Sequence, residues 1–285
     1  MRSIAFTKMH GAGNDYIYID LFAKPLDFDP ADLAKKMSPR HFSVGGDGVV
    51  LILPSAVADA KMRMFNLDGS EGKMCGNAIR CVAKYLSDHS LVKKDVITVE
   101  TLSGIKTLRL FFEGGVVKSV SVQMGQAVFA PKDIPVLFDG TEMVEEPVAV
   151  SGEHYRLTAV SMGNPHAVVF TDGVQDLDLE KIGPKFENLS IFPERVNTEF
   201  VEVLDKRTLR MRVWERGSGE TYACGTGACA TVAAAVKTGR VPAGEEVTVR
   251  LIGGDLKITV SPDYSVTMTG PATEVYQGVY QYDED

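Results

Sequence analysis

Two stretches of this chain share one order of parts. The first reads Asp68-Gly69-Ser70-Glu71-Gly72-Lys73-Met74-Cys75-Gly76-Asn77, and the second Arg216-Gly217-Ser218-Gly219-Glu220-Thr221-Tyr222-Ala223-Cys224-Gly225-Thr226. Each passes from a Gly-Ser turn to a Cys-Gly pair, and each pair opens a helical pattern. Cys224 follows Cys75 by 149 residues, about half of the 285-residue chain. This points to two structurally similar halves, each offering one cysteine at the start of one helix.

The helix after Cys75 is predicted from about Gly76 to His89, with Ala78, Val82 and Tyr85 recurring at helical spacing. The helix after Cys224 is predicted from about Gly225 to Thr238. It is apolar nearly all round, from Ala228 to Val236, so it must be buried on every side. Gly239 is a natural stop. Elsewhere short strand-like runs dominate: 97–102, 105–111, 116–123, 209–214, 246–251, 256–260 and 264–268. Gly114-Gly115 and Gly253-Gly254-Asp255 separate pairs of them as hairpin turns. An α+β fold with mostly antiparallel sheet follows. The half boundary is expected near Met124–Phe129: a first half over 1–125, joined by a returning strand in 272–285, and a second over 126–271.

The chemistry is bounded by what the chain lacks. A net charge of −8 and the absence of a Lys/Arg cluster argue against a nucleic-acid partner. No apolar run approaches the length of a membrane helix and no leader pattern opens the sequence, so a cytosolic address is expected. In a reducing cytosol the four cysteines are not expected to be structural disulfides. Five residues separate Cys75 from Cys81 and four separate Cys224 from Cys229, which is not the CxxC spacing of redox or zinc sites. No GxxxxGK[ST] phosphate loop occurs. Gly225-Thr226-Gly227-Ala228-Cys229-Ala230 fits GxGxx[G/A], but hairpin-like segments follow it where a dinucleotide site needs a βαβ unit.

A thiol at a helix N-terminus lies in the positive end of the dipole, which is expected to lower its pKa from ~8.5. The open N–H groups of the same turn can bind a carboxylate. Two such helix starts suit stereoinversion at an α-carbon: one thiolate takes the α-proton, and the opposite thiol gives one to the other face. Dipoles and backbone donors would stabilise the developing enediolate. Cys81 and Cys229 lie further into their helices and are read as buried structural thiols.

At these motifs the chain resembles the diaminopimelate epimerase family. The resemblance is carried by Thr7-Lys8-Met9-His10-Gly11-Ala12-Gly13-Asn14-Asp15-Tyr16, by Met64–Ser70 leading into Met74–Cys81, and by Met162-Gly163-Asn164-Pro165-His166-Ala167-Val168. Glu194–Phe200 and Trp214–Thr221 leading into Ala223–Gly227 complete it. The resemblance implies conversion of LL-2,6-diaminopimelate to the meso form in lysine and peptidoglycan precursor biosynthesis. It implies no pyridoxal phosphate, no metal, and a homodimer. It also implies two pseudosymmetric halves, each a barrel-like sheet wrapped around a central helix. Carried over by position, Cys75 and Cys224 would be the acid/base thiols, with His166 and Glu215 beside them. The amides of Gly76, Asn77, Gly225 and Thr226 would bind the reacting carboxylate. Asn14, Asn66, Asn164, Asn197, Glu215 and Arg216 would hold the rest of the substrate. Asparagines supply both donors and acceptors, and Arg216 can grip a carboxylate with two bonds.

In Gly45-Gly46-Asp47-Gly48, Gly48 stands where some family members carry a substrate-facing Gln, so that contact is in doubt. Proline or hydroxyproline racemases share the paired cysteines, but their first motif usually has His where this chain has Asn77. A redox protein forming a Cys75–Cys224 disulfide is the alternative from a different class.

Overall fold

The computed structural model describes residues 2–25 and 27–283. They form two compact units, Met1–Gln123 with Gly270–Asp285, and Met124–Thr269. The first unit contains, in chain order, β1 (Arg2–Gly11), β2 (Asn14–Asp20), α1 (Pro30–Met37), β3 (Gly48–Leu53), β4 (Ala60–Asn66), β5 (Glu71–Gly72) and α2 (Gly76–Asp88). Next come β6 (Val96–Thr101), β7 (Gly104–Glu113) and β8 (Val116–Gln126). The second has β9 (Glu146–Val150), β10 (Glu153–Ser161), β11 (Pro165–Phe170), α3 (Leu179–Glu187), β12 (Asn197–Asp205), β13 (Thr208–Glu215), β14 (Gly219–Thr221) and α4 (Gly225–Lys237). It continues through β15 (Glu246–Leu251), β16 (Gly254–Val260) and β17 (Ser265–Pro271). The last strand, β18 (Thr273–Tyr282), pairs antiparallel with β1.

The two units repeat one another strand for strand. In the first, β1–β2, β3–β4, β6–β7 and β7–β8 pair antiparallel, whereas β2–β3 and β4–β6 pair parallel. In the second, β10–β11, β12–β13, β15–β16 and β16–β17 pair antiparallel, whereas β11–β12 and β13–β15 pair parallel. Each parallel step needs a crossover. The helices α1 and α3 supply the first crossover of each unit, α2 and α4 the second. Even the flanking strand is repeated. β9 pairs with β10 as β18 pairs with β1, although β9 precedes its partner in sequence and β18 follows at the far end.

Strand alternation sorts side chains between two helices. In β2, Ile17 and Ile19 join a core with Leu33, Ala34 and Met37 of α1. Tyr18 points the other way, and its hydroxyl donates to the carbonyl oxygen of Ala78 in α2 at 3.4 Å. In the second unit Ala167, Val169 and Phe200 pack with Leu179 and Phe186 of α3. The opposite face wraps α4, which packs against β10, β11, β12, β13, β15 and β16. From Gly227 to Ala235 every residue of α4 is buried, as its apolar sequence requires. Below it, Gly239 takes φ 70° and ends the helix.

The helix α2 is as deeply buried but carries polar residues, each tied off. Arg80, fully buried, donates to the Gly76 carbonyl at 3.1 Å, to Asn77 Oδ1 at 2.9 Å and to the Pro271 carbonyl at 3.2 Å. Lys84 donates to the Val117 carbonyl at 2.7 Å and pairs with Asp88.

The sequence predicted α2 and α4 within a residue, but not α1 and α3. Both missed helices start on a recognisable signal. The Asp29 side chain accepts from Ala31 N ahead of Pro30, and the Asp178 side chain accepts from Lys181 N. Pro184 lies inside α3, which hid its periodicity. Gly183 in the same helix lies flat on an aromatic ring: a Cβ there would come within 2.2 Å of Trp214.

Candidate active site

Cys75 is the N-cap residue of α2, with extended backbone and no side-chain cap bond, and it is half-buried. Its Sγ donates to Asn14 Oδ1 at 3.3 Å. Asn14 opens β2 directly after the turn at Ala12 and Gly13, both at positive φ. Its amide cannot rotate freely, because Nδ2 donates to Asp47 Oδ2 at 2.6 Å. The same carboxylate oxygen accepts from Asp15 N at 3.1 Å, and the other pairs with Arg40. Asp47 therefore turns the Asn14 oxygen towards the sulfur.

The remaining first-unit candidates are placed differently. Asn77 and the carbonyl of Gly76 are engaged by Arg80. Asn66 Nδ2 donates to Ser70 Oγ at 3.0 Å, across the turn that leads to Cys75. Gly48 begins β3 opposite Asn66. A Cβ at Gly48 would lie 2.0 Å from the Phe65 carbonyl oxygen, so this backbone leaves no room for a longer side chain. That close approach is the physical reason for the glycine, and it rules out a glutamine-type contact from this position.

Cys224 is the N-cap residue of α4 and is buried. Its Sγ accepts from Gly227 N at 3.3 Å and lies 3.5 Å from Thr226 Oγ1. Glu215, at the end of β13, is bonded by Thr221 and by the Cys224 side chain. Burial pushes the Glu215 carboxyl up, and the charge of Glu199 adds to it against lowering by Thr221 and His166. The Cys224 thiol is likewise pushed well above its ordinary value, by burial first and then by Glu215 and Glu199. This corrects the expectation from the helix dipole. Bonds from Thr226 and Gly227 do pull downwards, but a dry site beside two carboxyl groups outweighs them.

His166 and Glu199 are both 0% exposed, with Nδ1 2.7 Å from Glu199 Oε1. His166 Nε2 lies 3.0 Å from Asn164 Oδ1, and Asn164 Nδ2 donates to Thr226 Oγ1 at 3.4 Å. Asn164, His166, Glu215, Cys224 and Thr226 are thus brought together, with Gly225 as the first residue of the helix. Asn197 is spent on backbone: Nδ2 donates to the Pro165 carbonyl at 2.8 Å and Oδ1 accepts from Arg216 N at 2.9 Å. The Arg216 guanidinium donates to the exposed Glu194 carbonyl at 2.9 Å. Sequence reasoning missed Asp47, Arg80 and Glu199. Lining up the two halves at their constant offset would have flagged the last two, since Arg80 falls opposite Cys229 and Glu199 opposite Val50. Cys81 is the structural thiol expected, with burial raising its pKa to about 11. Among the described residues no His, Cys, Asp or Glu group is arranged to hold a metal ion, and no helix is long and apolar enough to cross a membrane.

This fold, two repeated sheet-wrapped helices, is shared with several solved structures. A phenazine biosynthesis protein of the PhzF family from Bacillus anthracis superposes with a TM-score of 0.70 at 18% identity, covering 99% of this chain and 100% of that one. A hydroxyproline epimerase from Agrobacterium vitis superposes with a TM-score of 0.68 at 18% identity, covering 98% and 92%. At such identities the likeness concerns the fold. Sequence is more specific. The family model described as diaminopimelate epimerase matches residues 6–130 and 158–275. The diaminopimelate epimerase of Desulfovibrio desulfuricans is 55% identical over 285 residues, covering 98% of each chain. That of Acetivibrio thermocellus is 53% identical over 280 residues, covering 98% of this chain and 99% of its own. The chain belongs to the diaminopimelate epimerase family.

Proposed function

We propose that this protein interconverts LL- and meso-2,6-diaminopimelate by a two-base mechanism on Cys75 and Cys224, with neither pyridoxal phosphate nor metal. The observation that carries this is the duplicated helix start. In a chain of this family, each half caps one buried helix with a cysteine whose sulfur is engaged by its own polar set. One thiolate removes the α-proton, and the other thiol delivers a proton to the opposite face. Burial beside Glu215 and Glu199 pushes the Cys224 thiol up, which suits it to the proton-donor role. Turnover leaves the two protonation states exchanged, so the reverse reaction runs on the opposite assignment until the sulfurs re-equilibrate with water.

The amides of Gly76, Asn77, Gly225 and Thr226 are assigned to the reacting carboxylate, as donors at helix N-termini. Asn14, Asn66, Asn164 and Arg216 are assigned to the rest of the substrate. Arg216 must leave the Glu194 carbonyl to grip a distal carboxylate, whereas Asn197 acts by fixing the backbone of residue 216. Glu215 tunes Cys224 directly, and His166 acts from behind Asn164. The protein is taken to work in the cytoplasm as a homodimer. Incubation with LL-diaminopimelate and, separately, with L-proline in heavy water tests the activity. Exchange of the α-proton with diaminopimelate alone is expected. Exchange with proline alone, or with neither, overturns it.

A further inference from the structure

Glu199 is fully buried in the second unit. Its counterpart in the first unit, at the same register of the equivalent strand, is Val50. The helix residue facing it differs in step. Gly227 stands where the first unit has Ala78, and a Cβ on Gly227 would lie 2.6 Å from Glu199 Oε1. The second unit thus has no methyl group at this helix position and a buried carboxylate in the strand below it. Burying a carboxylate is costly unless it is bonded. Here only Oε1 has a partner, His166 Nδ1, while Oε2 is buried with none.

The bonds beyond His166 run in one direction. Asn164 Nδ2 donates to Thr226 Oγ1, so Asn164 Oδ1 is left to accept, and His166 Nε2 must carry a proton to reach it. Thr226 Oγ1 has then accepted from Asn164 and can donate its own proton to Cys224 Sγ. With Nε2 protonated, a single proton lies between Nδ1 and Glu199, whichever of the two atoms holds it. We infer that Glu199 is a positioning residue for epimerisation: by holding Nδ1 of His166 it fixes the polarity of a hydrogen-bonded chain running through Asn164 and Thr226 to Cys224 Sγ. The role rests on the proposed epimerase activity, and it concerns how the Cys224 sulfur is poised to give and regain its proton. Glu215 and Cys224 are the other titratable groups facing the His166–Glu199 pair.

Two measurements test this. Glu199→Gln is expected to lower kcat about tenfold or more, to shift the pH profile of kcat, and to change KM less than about threefold. Placed in a His166→Asn background, it is expected to add less than about a twofold further loss, because the two residues act in one chain. Full, multiplicative losses, or wild-type kcat and pH profile in Glu199→Gln, overturn the inference. Glu199→Val, which copies Val50, should show the same kcat loss with the fold intact. The second measurement is the ¹⁵N spectrum of the wild-type histidine rings, assigned through His166→Asn. A proton on Nε2 of His166 at neutral pH is expected, and an unprotonated Nε2 there overturns the inference. It needs neither a folded Glu199 variant nor turnover, so it stays decisive if diaminopimelate proves not to be the substrate.

Discussion

The starts of α2 and α4 are built on one scaffold and present two different sulfurs. Cys75 is half-buried and donates to an amide oxygen held by Asp47. Cys224 is buried, accepts from Gly227 N, and lies beside Glu215. The constant offset pairs Gly48 with Asn197, Val50 with Glu199, Asn66 with Glu215 and Ala78 with Gly227. At two of these places the second unit has a carboxylate where the first has a neutral side chain. The same geometry thus occurs twice, and a few polar differences give the two thiols different surroundings.

The widest test of this comparison removes each sulfur. Cys75→Ala and Cys224→Ala are each expected to reduce interconversion by at least ~10³-fold, read by following stereoisomer composition. Robust turnover in either variant would break the idea that both helix starts serve one reaction.

The next test removes the carboxylate that sets them apart. Glu215→Gln is expected to lower kcat on the order of 10²-fold. It is also expected to bring the pH midpoint for alkylation of Cys224 down, read by mass spectrometry of the modified peptide. In the unfolded chain Glu215 ionises near its ordinary 4.5, and in the folded chain only at higher pH. Its stabilising contribution is therefore present at low pH and lost as pH rises through the folded value. At neutral pH it counts against the fold, and Glu215→Gln should raise Tm at pH 7 while activity falls. An unchanged alkylation midpoint sinks the electrostatic account. By the same sign, Cys224 weakens the fold only at alkaline pH, above its ordinary range near 9.0.

A smaller effect comes from copying one half into the other. Gly48→Asn reproduces residue 197, yet the Phe65 carbonyl leaves no space, and a loss of about 3 kcal/mol in denaturant unfolding is expected. Unperturbed stability would mean the approach of β3 to β4 is looser than described.

The smallest compares two matched ion pairs. Arg63 binds Glu71 through Nε and Nη2 at 2.7 and 3.0 Å, and Arg212 binds Glu220 through the same atoms at 2.7 and 2.9 Å. Arg212 also donates to the carbonyls of Val174, Gln175 and Leu177. Arg212→Ala should therefore cost about 1–3 kcal/mol, and Arg63→Ala less than about 1 kcal/mol. Equal losses on thermal unfolding would show that the carbonyl contacts contribute nothing.

Much of this molecule is legible in its amino-acid sequence. The repeated turn-Cys-Gly-helix order, the all-apolar face of α4 and the Gly-rich hairpins are local patterns, because helix periodicity and turn chemistry are properties of neighbouring residues. They determined that there would be two like halves, where their central helices begin, and that each would start on a cysteine. What only tertiary structure decided is non-local. The sequence led to a returning strand over 272–285, but its antiparallel register on β1, which matches that of β9 on β10 in the second unit, is set across the whole length of the chain. The reversal of the expected pKa shift at Cys224 came from burial first, with Glu215 and Glu199 adding to it. Burial depends on what the other strands cover, and in a dry interior a carboxylate a few ångströms away outweighs the helix dipole that the sequence alone made visible.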